Sequence, residues 1–193
     1  ASLSRNVQKK TIMKYLLPLF VLLPSFCFSQ TIDTTAINQQ VDSLIRVGRN
    51  HIEENEYEKA DTLYQEALAI QEKVLGKEHP DYANSLHSLG ILYREMANYE
   101  KAESFLLEAL AIQEKVLGKE HPDYAVSLHN LGILYREMRN FEKAEPLWQE
   151  ALAIQEKVLG KEHPDYANSL HSFGLLYQVM GNYEKAESFL LEA

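Results

Sequence analysis

The eighteen-residue string Glu-Ala-Leu-Ala-Ile-Gln-Glu-Lys-Val-Leu-Gly-Lys-Glu-His-Pro-Asp-Tyr-Ala occurs three times, at 66–83, 108–125 and 150–167, a period of 42 residues. A chain that repeats itself at such a spacing builds one small unit several times and buries a continuous core only by stacking neighbours. The intervening segments, Asn84–Ala97, Val126–Arg139 and Asn168–Gly181, are close variants, and each leads into a Tyr/Phe-Glu-Lys-Ala opening at Tyr99, Phe141 or Tyr183. A more divergent copy precedes them, with Gly48, Tyr57 and Ala60 in register. About three and a half units therefore fill residues 36–193.

The periodicity inside a unit is helical. Tyr82, Leu86, Leu89, Tyr93 and Met96 are spaced 4, 3, 4 and 3, which draws one apolar stripe down a first helix, A. Asn98 then offers a side-chain oxygen as N-cap of a second helix, B, whose predicted inward set is Tyr99, Ala102, Leu106, Ala109, Ile112 and Val116. Gly118 supplies the left-handed residue at the end of B, and Pro122 with Asp123 opens the next helix A. Because 42 residues equal six heptads, a continuous coiled coil is the rival geometry. The recurrent Gly and Pro argue against it, since a proline inside a helix costs ~3 kcal/mol. Small residues also recur where two helices must approach closely: Gly48, Gly90, Gly132 and Gly174 in A, Ala60, Ala102, Ala144 and Ala186 in B. Antiparallel hairpins stacked side by side account for both patterns.

Residues 1–29 differ in kind. They contain Arg5, Lys9, Lys10 and Lys14 and no acid, and Tyr15–Phe28 is a 14-residue apolar stretch interrupted by Pro18 and Pro24. A bilayer span needs ~20 apolar residues, so the segment reads as upstream residues and a signal peptide, with cleavage before Gln30 and export of the mature chain. An uncleaved anchor is the alternative. Residues 30–35 form a short linker in this reading, and 36–193 the array. The whole chain has a formal charge of −9; removing the four leading basic residues from its 19 leaves 15 against 28 acids, a balance of −13 over 30–193. Such a surface repels phosphate backbones and anionic lipid headgroups, which disfavours nucleic acid and membrane partners. The one cysteine, Cys27, excludes a disulfide framework.

At the repeat positions the sequence resembles the tetratricopeptide repeat family. The pattern of Leu-Gly, an aromatic three residues later, and an Ala, a large apolar residue and a second Ala in helix B is met by Leu89, Gly90, Tyr93, Ala102, Leu106 and Ala109, by Leu131, Gly132, Tyr135, Ala144, Trp148 and Ala151, and by Phe173, Gly174, Tyr177, Ala186, Leu190 and Ala193. The ordinary repeat is ~34 residues long; the longer unit here is similar to those of kinesin light chains and of bacterial multi-repeat proteins. The resemblance implies an all-α fold, a right-handed α-α superhelical solenoid of antiparallel hairpins. Two positions depart from it: His51 replaces the aromatic in the first copy, and Pro146 lies inside helix B of the third, where it removes a backbone donor.

What the resemblance implies about function is a binding wall made of helix A side chains that do not face the core. By position these are Asn84, His87, Ile91, Arg94 and Glu95; Val126, His129, Ile133, Arg136 and Glu137; and Asn168, His171, Leu175, Gln178 and Val179. Copies differ at 84/126/168, 88/130/172, 94/136/178 and 95/137/179, whereas the B blocks are identical. The expected ligand is a protein or an extended peptide. Asn130 matches the carboxamide with which light-chain repeats hold a peptide backbone, while Ser88 and Ser172 replace it in the flanking copies.

Seven histidines sit at repeat positions, but equivalent residues of stacked hairpins are separated by a helix layer of roughly 8–10 Å, too far for zinc ligation at ~2.0–2.2 Å. No metal or other cofactor is expected. His79, His121 and His163 are predicted to cap the next helix or to touch a neighbouring loop, and the row His87, His129 and His171 to gain charge near the usual imidazole pKa of ~6.5. Gly-Lys at 76, 118 and 160 is always followed by Glu, without phosphate-loop spacing, and no Gly-x-Ser-x-Gly or His-Glu-x-x-His occurs. The segment is therefore expected to bind rather than catalyse. The alternative is a recognition arm of a larger enzyme, because such arrays resemble those ahead of CHAT caspase-like proteases and of sensor histidine kinases, with further repeats or a domain beyond Ala193.

Overall fold

A computed structural model describes residues 34–193. The signal segment, its cleavage position and the first four residues of the linker lie outside the described residues. Eight helices and no strand occur among those described: α1 (Thr34–Glu53), α2 (Tyr57–Val74), α3 (Pro80–Glu95), α4 (Tyr99–Val116), α5 (Pro122–Glu137), α6 (Phe141–Val158), α7 (Pro164–Val179) and α8 (Tyr183–Glu192). They pair as four hairpins, α1/α2, α3/α4, α5/α6 and α7/α8, stacked in chain order. The odd-numbered members are the A helices and the even-numbered ones the B helices.

Local chemistry fixes both kinds of connection. Between B and A, Gly118 takes φ +84° and its N–H bonds to the Gln113 carbonyl at 3.1 Å; His121 then caps α5, its Nδ1 accepting the Asp123 N–H at 3.2 Å ahead of Pro122 in the first turn. The same cap recurs at His79 and His163, so the loop histidines do the capping expected of them. Between A and B, the chain closes with a paired motif: Asn98 N–H bonds to the Tyr93 carbonyl and Ala97 N–H to that of Arg94, both at 2.8 Å. This places Ala97 and Arg139 at φ +55° and +58°, a left-handed conformation held by Gly181 in the fourth hairpin. Asn98, Asn140 and Asn182 cap the B helices through the N–H groups of Lys101, Lys143 and Lys185. A single long rod is thereby ruled out for these residues.

The hairpins close around the small residues. A Cβ at Gly132 would lie 2.5 Å from Trp148 Nε1, and one at Gly90 2.6 Å from Leu106 Cγ. Trp148 is fully buried and donates from Nε1 to the His129 carbonyl at 2.9 Å. The predicted A stripe is buried apart from a half-buried Met96, and helix B buries Ala102, Leu106 and Ala109 as expected. The last turn of B differs from expectation. Val116 and Val158 are exposed, and the buried position is instead Gln113 or Gln155. The 4, 3, 4 spacing of 102, 106, 109 and 113 turns this carboxamide inward and carries the valine out to solvent. Pro146 is accommodated inside α6 on its exposed side.

Layers are joined by a repeated clasp. Tyr93 donates its hydroxyl to Asp61 of the preceding hairpin at 3.0 Å, Tyr135 to Glu103 at 2.5 Å and Tyr177 to Glu145 at 2.6 Å. Lys101, Lys143 and Lys185 lie over the same three rings at 4.6, 4.6 and 4.7 Å. Burial and then the carboxylate partner push the Tyr177 hydroxyl up to about 12. Successive A helices, α3 on α5 and α5 on α7, also touch each other more closely than successive B helices do, so the A helices line the inner side of the stack.

Candidate functional site

The candidate wall residues separate into two groups. The first group binds the wall to itself. The His87 Nε2 meets Asn130 Nδ2 of the next A helix at 3.0 Å, and that amide also donates to the Val126 carbonyl at 3.0 Å. One layer on, His129 Nδ1 meets Ser169 Oγ at 2.9 Å. The fourth copy has Ser172 where the third has Asn130; a short hydroxyl replaces a reaching carboxamide, and the ring pairs with Ser169 instead. Arg94 is 14% exposed, holds Glu95 at 2.5 Å and comes within 3.9 Å of Glu137 on the following A helix. Arg136 lies 6.0 Å from the centre of the Trp148 ring.

Exposed or half-buried positions make up the second group. Asn84, Glu95, Asn168, His171 and Gln178 are exposed, as is Glu137 apart from its neighbour Arg94, and Val179 is 55% exposed. Val126, Ile133, Leu175 and Ile91 are half-buried, the last three at the same register in successive A helices. These side chains offer carboxylates, carboxamides and an intermittent apolar row.

Burial corrects the expected titration of the histidine row. Both His87 and His129 are largely enclosed between A helices, and this desolvation, with Arg94 beside the first and Arg136 and Arg94 beside the second, holds each imidazole down at about 4 despite Asp123 and Asp165. Neither ring gains charge near pH 6.5. His171, with no following A helix over it among the described residues, is exposed.

Sequence reasoning missed two sets of residues. Gln71, Gln113 and Gln155 are nine-tenths or more buried, and the side-chain carbonyl of each lacks a hydrogen-bond donor. Gln71 and Gln155 line recesses between successive A helices, alongside Asp81 in the first layer and Asp165 in the third. The signal was present in the sequence: one glutamine per copy, four residues after a buried alanine, on an otherwise apolar stripe. The second set is His51, Glu54 and Glu56, whose ligand atoms lie within 4.8 Å of one another. Its members lie at one connection, between the first two helices, so the spacing between repeats does not bring them together. His51 Nδ1 is 2.7 Å from Glu56, and Lys59 already sits on that carboxylate at 2.6 Å, which lowers the Glu56 pKa.

No helix among the described residues is long and apolar enough to cross a membrane. The tetratricopeptide repeat model matches residues 40–115, 95–147 and 134–193. No curated protein matches the sequence. Among solved structures, the chain is similar to BtubC (BKLC) from P. vanneervenii, with a TM-score of 0.75 and 25% identity over 83% of this chain. It spans 63% of that protein's length. It is also similar to a putative kinesin light chain with nearly identical TPR-like repeats from Podosopora anserina, TM-score 0.71 and 31% identity, covering 79% of this chain and 72% of that one. MamA shares the fold at 18% identity and a TM-score of 0.56, over 82% of this chain and 78% of that one. The repeat register, the hairpin stack and these matches agree: the chain belongs to the tetratricopeptide repeat family.

Proposed function

We propose that the array binds a protein or peptide segment in extended form along its A helices, without catalysing a reaction on it. The observation that carries this reading is the row Ile91, Ile133 and Leu175, half-buried at one register and flanked by Glu95, Glu137 and Gln178. An extended strand advances ~3.3 Å per residue, so apolar side chains a few residues apart reach successive members of such a row. Specificity comes from the polar neighbours, which differ from layer to layer. In this reading the exposed side chains carry the role, because His87, His129 and Asn130 are engaged within the stack.

The test is selection of a random peptide display library on the full chain, followed by affinity measurement for one recovered synthetic peptide. Replacing Glu95, Leu175 and Gln178 together with Ala is expected to weaken that peptide about tenfold or more while the melting temperature stays put. Asn130→Ala, by contrast, strips the half-buried His87 of its partner and lowers the melting temperature. Unchanged affinity in the triple variant refutes the reading.

A further inference from the structure

The recess between α1 and α3 has a volume of about 300 Å³ and is lined by Asn38, Asp42 and Ile45 of α1, Asp81 and Asn84 of α3, and Gln71 of α2. Gln71 is 4% exposed, and its Oε1 accepts no hydrogen bond. Buried carbonyls of side chains ordinarily have a donor, so this oxygen is an acceptor awaiting one. Around it stand two carboxylates. Asp42 is exposed at the rim; Asp81 is 48% exposed, with the His79 ring 3.6 Å away on its own loop. Among the described residues, no lysine or arginine lines the recess.

A comparison inside the molecule shows what is special here. Eighty-four residues further on, the corresponding recess is lined by Val126, His129, Gln155, Asp165 and Asn168, and its volume falls to about 80 Å³. His129 occupies the space that Ile45 leaves open, and Val126 stands where the first recess has Asp42. Ligand sites start at ~300 Å³, so only the first of these two recesses reaches that size. It also has the additional negative charge.

We propose that the α1–α3 recess is a subsite for the ammonium group of a lysine side chain belonging to the bound segment. An ammonium has three donors and no acceptor, which matches the Gln71 carbonyl and the carboxylates of Asp42 and Asp81. The four-carbon stem lies against Ile45 while the head reaches the polar floor. This subsite deepens the peptide-binding reading and rests on it for the identity of the occupant.

Nuclear magnetic resonance on the isotope-labelled full chain tests the subsite with N-acetyl-lysine methylamide, against the norleucine analogue, which has the same four-carbon stem without the ammonium group. The lysine probe is expected to move the Gln71 side-chain amide and the backbone signals of Asp42 and Asn84, and the norleucine probe to leave them in place. Asp42→Asn should weaken the lysine probe about three- to fivefold, the effect of losing one partly exposed charge partner. Asp165→Asn, in the small recess, should leave it unaltered. Ile45→His, which copies the ring of the third layer, should abolish the response with the melting temperature retained. Equal shifts from both probes, no shift at Gln71, or an unaltered response in Asp42→Asn overturns the proposal. If the display selection yields groove-binding peptides but the lysine probe fails, the subsite alone is lost. If the probe binds and no peptide is selected, the subsite stands and the extended-segment reading falls.

Discussion

The identical blocks of the chain and its variable segments share the labour differently from what their sequences imply. Blocks 66–83, 108–125 and 150–167 make the ends of the B helices, the capped loops and the starts of the A helices, and they recur because each layer needs the same glycine, histidine cap and proline. Variation in the A helices would naturally be assigned to ligand contact. The structure divides it instead: the change at 88/130/172 alters how one A helix grips the next, while that at 95/137/179 alters what the wall presents outward. A difference between copies is thus as much a rewiring of the stack as a change in the face it turns outward.

That division is open to attack from its largest consequence downwards. Gly132→Leu puts a branched side chain into space occupied by the Trp148 ring and is expected to destabilise the array by ~1–3 kcal/mol in chemical denaturation, at the upper end because the ring is fully buried. A loss below ~0.5 kcal/mol would mean the hairpin opens freely. Acid provides the second test. His87 and His129 titrate at about 4 in the folded chain and near the ordinary 6.5 when unfolded, so the unfolded state binds more protons between these values and stability falls as the pH drops through that window. Each ring contributes at most about 1.4 kcal/mol per pH unit. His87→Leu with His129→Leu should flatten melting temperature against pH from 6.5 to 4.5; an unaltered slope would take the two rings out of the stack's interior. The smallest effect is a gain. Ala97 holds a left-handed conformation that costs an L-residue roughly 1–2 kcal/mol, offset in part by the greater freedom of glycine when unfolded. Ala97→Gly should therefore raise stability by roughly 0.5–1 kcal/mol, and a loss would show that the paired motif depends on the methyl group.

Most of the fold was legible because helix period, caps and close-packing residues act locally. Asn98, Gly118, His121 and Pro122 each declare their role within a few residues of chain. The wall was legible only as a set of positions. Whether His87 faces a ligand or Asn130 depends on the distance between layers, which no single helix encodes. Gln113 escaped for a related reason: Ile112 and Val116 continue the apolar spacing almost as well, and one step around the helix decides which faces the neighbouring layer. The left-handed Ala97 and Arg139 carried no signal of their own, since neither is a residue that favours such a turn; Asn55 and Gly181, at the same register in the first and fourth copies, betray it.

The tyrosine clasps give the stack a direction. Every hydroxyl reaches backwards, to an acid supplied by the hairpin before it, and no hairpin holds its successor in this way. Coupling between neighbours in such a linear array sets how far a local opening spreads. Glu103 is accordingly one latch at the midpoint, beside His87–Asn130 and Arg94–Glu137: its loss weakens the coupling between the first two hairpins and the last two without severing it.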